Sequence, residues 1–150
     1  MFRRILCPSD LKERSFLALE KAVQLAHQFG AEITLLNVHP EFMDSKQREM
    51  LRVSVDKIKE KYRQAALQTR RKMQKEIEKL HTEDVSLSYL LRGGKPAETI
   101  LDVAKETDVD LIVMSSDGKD NIGDFIAGTI TEHVINHSRC PVLVVPVFQK

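Results

Sequence analysis

The segment Ser115-Ser116-Asp117-Gly118, followed after nine residues by Gly128-Thr129, has the residue types and spacing best suited to chemistry in this sequence. An apolar run, Asp110-Leu111-Ile112-Val113-Met114, leads into it and reads as a strand. A strand that ends in a loop with spaced glycines and then feeds a helix can hold phosphate. Glycine lets the main chain come close to a ligand, and free N–H groups at a helix start favour an anion. The loop also carries Asp117, Asp120 and Asp124 against Lys119. Carboxylates near a phosphate repel it unless a divalent cation bridges them or they face water. The expected chemistry is therefore anion binding that needs Mg²⁺ or Mn²⁺.

A second candidate loop is Pro8-Ser9-Asp10, which closes the apolar run Ile5-Leu6-Cys7. Ser9-Asp10 resembles half of a catalytic pair, but no histidine is tied to it by sequence, so a nucleophile is not expected. Asp10 has two readings of equal standing, ligand contact and support of the turn after the strand. His133, His137 and Cys140 fall at i, i+4 and i+7, a spacing that can ligate zinc. Cys140 precedes Pro141 and no fourth ligand is evident, so solvent-facing imidazoles are the favoured reading. Arg70, Arg71, Lys72, Lys75 and Lys79 alternate with Glu76 and Glu78 without aromatic platforms, as on a solvated helix face.

These residues need elements to place them. Phe2 to Pro8 reads as a first strand. Phe16, Leu19, Ala22, Val23, Ala26 and Phe29 have helical spacing, with Ser15 as a candidate cap and Gly30 as the stop. Ala31 to Val38 reads as a second strand ended by His39-Pro40. From Asp44 to Leu80 the charged chain carries one apolar stripe, from Leu51 through Met73, Ile77 and Leu80. It reads as a long amphipathic helix whose stripe is core or a partner surface. Val85 to Leu91 alternates as a third strand, and Pro96 suits the first position of the next helix, Ala97 to Glu106. Val109 to Met114 is a fourth strand, apolar throughout and so covered on both faces. A last helix is expected from Gly128 to His137, and a fifth strand from Val142 to Val147.

Strands alternating with helices give one domain, residues 1–150, with a parallel sheet covered on both sides. In such sheets ligands bind beyond the C-terminal strand ends where strand order reverses, and the two candidate loops both lie at strand ends. Lysine plus arginine number 23 against 22 acids, for a net charge of +1. That balance argues against a dedicated nucleic-acid binder. No apolar run approaches the roughly 20 residues that cross a bilayer, and Ile5 to Pro8 is too short for a signal sequence. A cytoplasmic location is expected. Two cysteines, Cys7 and Cys140, make no disulfide framework and read as small buried thiols.

The ordered set of segments resembles the universal stress protein family over nearly the whole chain. The resemblance runs through Ile5-Leu6-Cys7-Pro8-Ser9-Asp10, Gly94-Lys95-Pro96-Ala97-Glu98-Thr99-Ile100, Asp110 to Met114, Gly128-Thr129-Ile130-Thr131-Glu132 and Cys140 to Pro146. It implies a Rossmann-like five-stranded parallel sheet with strand order 3-2-1-4-5. ATP-binding members carry Gly, two residues, Gly, nine residues, Gly, then Ser or Thr. Gly118, Gly128 and Thr129 match the last three elements, and Ser115 stands in place of the first glycine. The resemblance implies an adenine-nucleotide site. There the main chain near Gly118, and Gly128 with Thr129, would contact phosphates, and Ile130 would be a further nucleotide-binding residue. Met114 and Ser115 would line the ribose side. Asp10, within the Pro8-Ser9-Asp10 loop, would lie by the ribose or adenine, and the Val38 main chain would read the adenine edge.

With that strand order, Val142-Leu143-Val144-Val145 falls at a sheet edge and is expected to pair in a homodimer. The expected function is that of a dimeric stress-response or signalling protein that binds ATP or a related nucleotide. The alternative is a member that binds no nucleotide and acts through protein contacts. No nucleophile or general base is identifiable, so at most a slow ATP hydrolysis using bound metal and water is expected.

Overall fold

The strands take inward-facing residues by simple alternation, and this builds two cores on one sheet. In the computed structural model, which describes residues 1–39, 55–116 and 128–146, β1 is Arg4–Pro8, β2 Glu32–His39, β3 Leu87–Gly93, β4 Leu111–Ser115 and β5 Val142–Val145. All pair in parallel in the order β3-β2-β1-β4-β5. The helices are α1 (Glu13–Phe29), α2 (Val55–Glu78), α3 (Pro96–Glu106) and α4 (Thr129–His137).

Side chains one residue apart on a strand face opposite ways. Ile5 and Cys7, Ile33 and Leu35, and Leu111 and Val113 therefore meet Leu19, Val23 and Ala26 of α1 and Met73 and Ile77 of α2. Leu6, Leu36, Ile112 and Met114 face the other way, onto Ile100 and Val103 of α3 and Val134 of α4. The unbroken apolar run of β4 is explained by this, because both of its faces are covered.

Crossovers to the left of β1 use one face and crossovers to the right of β4 use the other, as right-handed connections require. The order reverses between β1 and β4. There the ladder pairs Ile5 with Leu111 and Leu6 with Ile112. The β1–β2 ladder instead runs on to Pro8 and Leu36. Ser9 N–H donates to Leu36 O on the β2 side, so by alternation the position of Pro8 faces β4. Proline has no N–H to offer there. The two strands part toward their C-terminal ends, and a crevice opens.

Gly30 ends α1 in the left-handed conformation (φ 67°), with Ala31 N–H closing on Ala26 O. Pro96 occupies the first turn of α3, as expected. The Ser15 cap is a correction: α1 begins two residues earlier, at Glu13, and no side chain caps it. The third strand also shifts, to Leu87–Gly93, because Val85 N–H is held in a turn by Thr82 O. The stripe on α2 is core at Met73 and Ile77, while Leu67 is exposed. Its expected beginning, from Asp44, lies outside the described residues. Among the described residues no helix is long and apolar enough to cross a membrane.

Candidate functional site

The crevice is a cavity of about 480 Å³ at the C-terminal ends of β1, β2 and β4. Its floor comes from Pro8, Ser9 and Asp10 after β1, from Leu36 to His39 at the end of β2, and from Met114 and Ser115 at the end of β4. Ile130 and Thr131 of α4 and Pro96 and Ile100 of α3 close one side. Lys12, Arg14 and Ser15 at the start of α1, with Thr69 and Lys72 of α2, close the other.

The β1–α1 loop is held by its own hydroxyls. Ser15 Oγ donates to Lys12 O at 2.8 Å. Its single proton is thereby used, so the Ser9–Ser15 contact at 2.9 Å has Ser9 Oγ as donor. Ser9 Oγ also accepts from Leu11 N–H at 3.0 Å. Asn37 Nδ2, buried at the end of β2, donates to Ser9 O at 2.9 Å. The Ser9 proton is committed to Ser15.

Asp10 supports the turn and also lines the cavity. Oδ1 accepts from Lys12 N–H at 2.9 Å, and Oδ2 lies 3.7 Å from Arg14 Nη2. On the β4 side, Thr131 Oγ1 donates to Ser115 O at 3.3 Å, and Ser116 N–H donates to Val145 O. These bonds fasten the first turn of α4 and the end of β5 to the end of β4. Gly128, just before α4, has φ 93° and ψ 164°, a conformation essentially reserved for glycine.

Of the residues expected at the site, Pro8, Ser9, Asp10, Val38, Met114, Ser115 and Ile130 come together around this one cavity. Gly128 and Thr129 stand at the start of α4 beside Ile130 without lining it. Gly118 and the acids Asp117, Asp120 and Asp124 lie outside the described residues. Sequence reasoning missed Lys12, Arg14, Asn37, Thr69, Lys72 and Thr131. Lys72 is exposed, as expected of a solvated face, and it also lines the cavity. The available signal was its position beside the apolar stripe, three residues after Thr69 and one before Met73.

Two ionisable groups lie beneath the loop. Burial, with Glu76 adding to it, pushes the Cys7 thiol up to about 12, so it stays protonated and unreactive. Glu76 itself is shifted up, first by burial, against the pull of Lys79 and with Asp10 adding to the rise. Its Oε2 is buried without a hydrogen-bond partner among the described residues.

Among the described residues no group of three His, Cys, Asp or Glu is placed to hold a metal ion. In the described wall Asp10 is the one carboxylate, and both its oxygens are engaged. These donors do not by themselves fit a divalent ion. His133 and His137 stack with ring centroids 4.3 Å apart, and His137 Nδ1 meets His133 O at 2.8 Å. Cys140 is instead engaged with Ser138.

The Universal stress protein family model matches residues 1–146. The chain belongs to the universal stress protein family. It is 30% identical over 156 residues to universal stress protein MJ0577 of Methanocaldococcus jannaschii, covering 97% of this chain and 95% of that protein. It is 31% identical over 150 residues to universal stress protein YxiE of Bacillus subtilis, covering 97% and 99%. The solved structure of MJ0577 superposes with a TM-score of 0.77 at 27% identity, over 100% of this chain and 99% of that one. A universal stress protein in complex with cAMP (TM-score 0.65, 16% identity, 97% of both chains) shares the fold. So does one from Archaeoglobus fulgidus in complex with dAMP (TM-score 0.63, 19% identity, 96% and 97%).

Proposed function

We propose that this universal stress protein binds an adenine nucleotide, with ATP the expected species, in the cavity between the C-terminal ends of β1 and β4. The observation that carries the reading is the convergence of Pro8, Ser9, Asp10, Val38, Met114, Ser115 and Ile130 on one cavity of about 480 Å³ at the reversal of strand order. Ligand cavities of roughly 300–1,000 Å³ are typical for small molecules. That two proteins of the same fold are complexes with cAMP and dAMP supports the adenine class. The nucleotide acts as a conformational signal in a cytoplasmic stress response rather than as a fast-turnover substrate. No step is assigned to a catalytic residue.

Mg²⁺ or Mn²⁺ would accompany the nucleotide in this reading, offsetting the charge of its phosphates; the motivation is the sequence, which sets Asp117, Asp120 and Asp124 beside the glycines. Calorimetry with ATP, with and without metal, tests both parts. Saturable heat that depends on the metal is expected. Absence of heat and of any thermal shift at millimolar ATP overturns nucleotide binding.

The same protein works as a homodimer through β5. This strand ends the described sheet, its residues are only half-buried, and Leu143 is 38% exposed. A second copy about a two-fold axis would cover that edge. If apo protein dimerises and binds no nucleotide, the reading that remains is a stress protein acting through protein contacts alone.

A further inference from the structure

The wall of the cavity supplied by α1 and α2 is cationic. Lys12, Arg14 and Lys72 line it, against the single carboxylate of Asp10, which already pairs with Arg14. Among the described residues neither Lys12 nor Lys72 takes part in an ion pair. Lys72 differs in place from Arg70, Arg71 and Lys75 of its helix. It follows Thr69, which is 7% exposed and also lines the cavity, and it precedes Met73, which is buried in the core. Its stem therefore starts at the edge of the buried stripe, and the residue lines the cavity while remaining exposed. Arg70, Arg71 and Lys75 are exposed and do not line the cavity.

We propose that Lys72, assisted by Lys12, is a specificity-determining residue that reads the negative charge of the ligand. It favours a nucleoside di- or triphosphate over a monophosphate, a cyclic nucleotide or a nucleoside. This inference rests on the nucleotide reading above. The physical basis is through-space attraction: two lysines that line the wall opposite α4, where the phosphates are expected, attract each added phosphate charge across the cavity, while the uncharged base and ribose do not feel them. Because both lysines are solvent-exposed, the preference is screened by salt.

Calorimetry with adenosine, AMP, ADP and ATP on the full chain, at about 50 mM and about 300 mM salt, tests it. Lys72→Gln is expected to weaken ATP about three- to ten-fold, AMP less and adenosine not at all. Salt should narrow the ATP-to-AMP ratio of the unmodified protein more than that of the variant. Lys75→Gln, on the exposed side of the same helix, should change nothing. If Lys72→Gln binds nucleotides yet keeps the unmodified ATP-to-AMP ratio, the inference is overturned and the nucleotide reading stands. If the unmodified protein binds no adenine nucleotide, the nucleotide reading falls. Inorganic tripolyphosphate then probes the wall alone. Binding that Lys72→Gln weakens supports an anion-reading wall, and binding that is absent or unaffected overturns it.

Discussion

The proton of Ser15 goes to the Lys12 carbonyl and that of Ser9 goes to Ser15, so a short relay of hydroxyls fixes the loop that floors the site. The relay restrains Leu11, whose φ of 63° is left-handed and costs about 1–2 kcal/mol for a residue with a Cβ. Ser15→Ala should remove the hydroxyl donor to the Lys12 carbonyl, which keeps Ser15 N–H, and leave the buried Ser9 proton without its acceptor. A loss of about 1–3 kcal/mol is expected in urea unfolding, with the midpoint moved and the slope kept. Glu76 gives a pH-dependent counterpart. Its carboxyl is raised in the folded protein, so the folded state holds the proton more tightly than the unfolded chain. Its contribution favours folding below the unfolded carboxyl pKa and is lost as pH rises through the raised folded value. Glu76→Gln should therefore raise the melting temperature at neutral pH, and the gain should vanish toward about pH 4. An unchanged or lower melting temperature at neutral pH would refute this. Ser9 and Asp10 were legible in the sequence because they directly follow a strand and a proline. Lys72 and Thr69 were not, because their place depends on how α2 packs against α1 and the sheet, and spacing along one helix does not contain that.

Elements were legible where one residue type forces the outcome. Gly30 stops α1 and Pro96 starts α3 as their chemistry requires. Boundaries set by partners were less so. β3 extends to Gly93 because β2 continues to His39 and pairs with it there, a long-range register that local alternation cannot reveal. The start of α4 carries a test of its own. Gly128 has a backbone that a Cβ disfavours, and it leads directly into the residues that line the cavity. Gly128→Ala is expected to cost about 1–3 kcal/mol of stability. It should also weaken ATP more than adenosine, because the main chain there is expected to approach phosphate. Parallel unfolding and calorimetry separate the two effects. A variant with normal stability and normal ATP affinity would place the phosphates elsewhere.

At the scale of the whole molecule, strand alternation gives each face of the sheet its own core, and only the edges remain to be managed. The fold order was accessible from the resemblance, whereas the parting of β1 from β4 becomes visible only with the ladder in view. On the β5 edge, Val144→Lys or Val145→Asp should weaken the proposed dimer, read as a fall from dimer to monomer mass in light scattering at micromolar protein. A monomer mass for the unmodified protein removes this interface.

Cys7 has a further use. Its thiol is fully buried one residue before Pro8, at the base of the crevice. A maleimide or iodoacetamide can reach it only when this part of the molecule opens, whereas the half-buried Cys140 reacts earlier. The labelling rate of Cys7 is thus an intrinsic clock for opening beneath the site. A ligand that binds only the closed form at about 100 times its Kd should slow that clock by about 100-fold. Occupancy of the crevice can then be timed in unmodified protein, without attaching a reporter to the nucleotide.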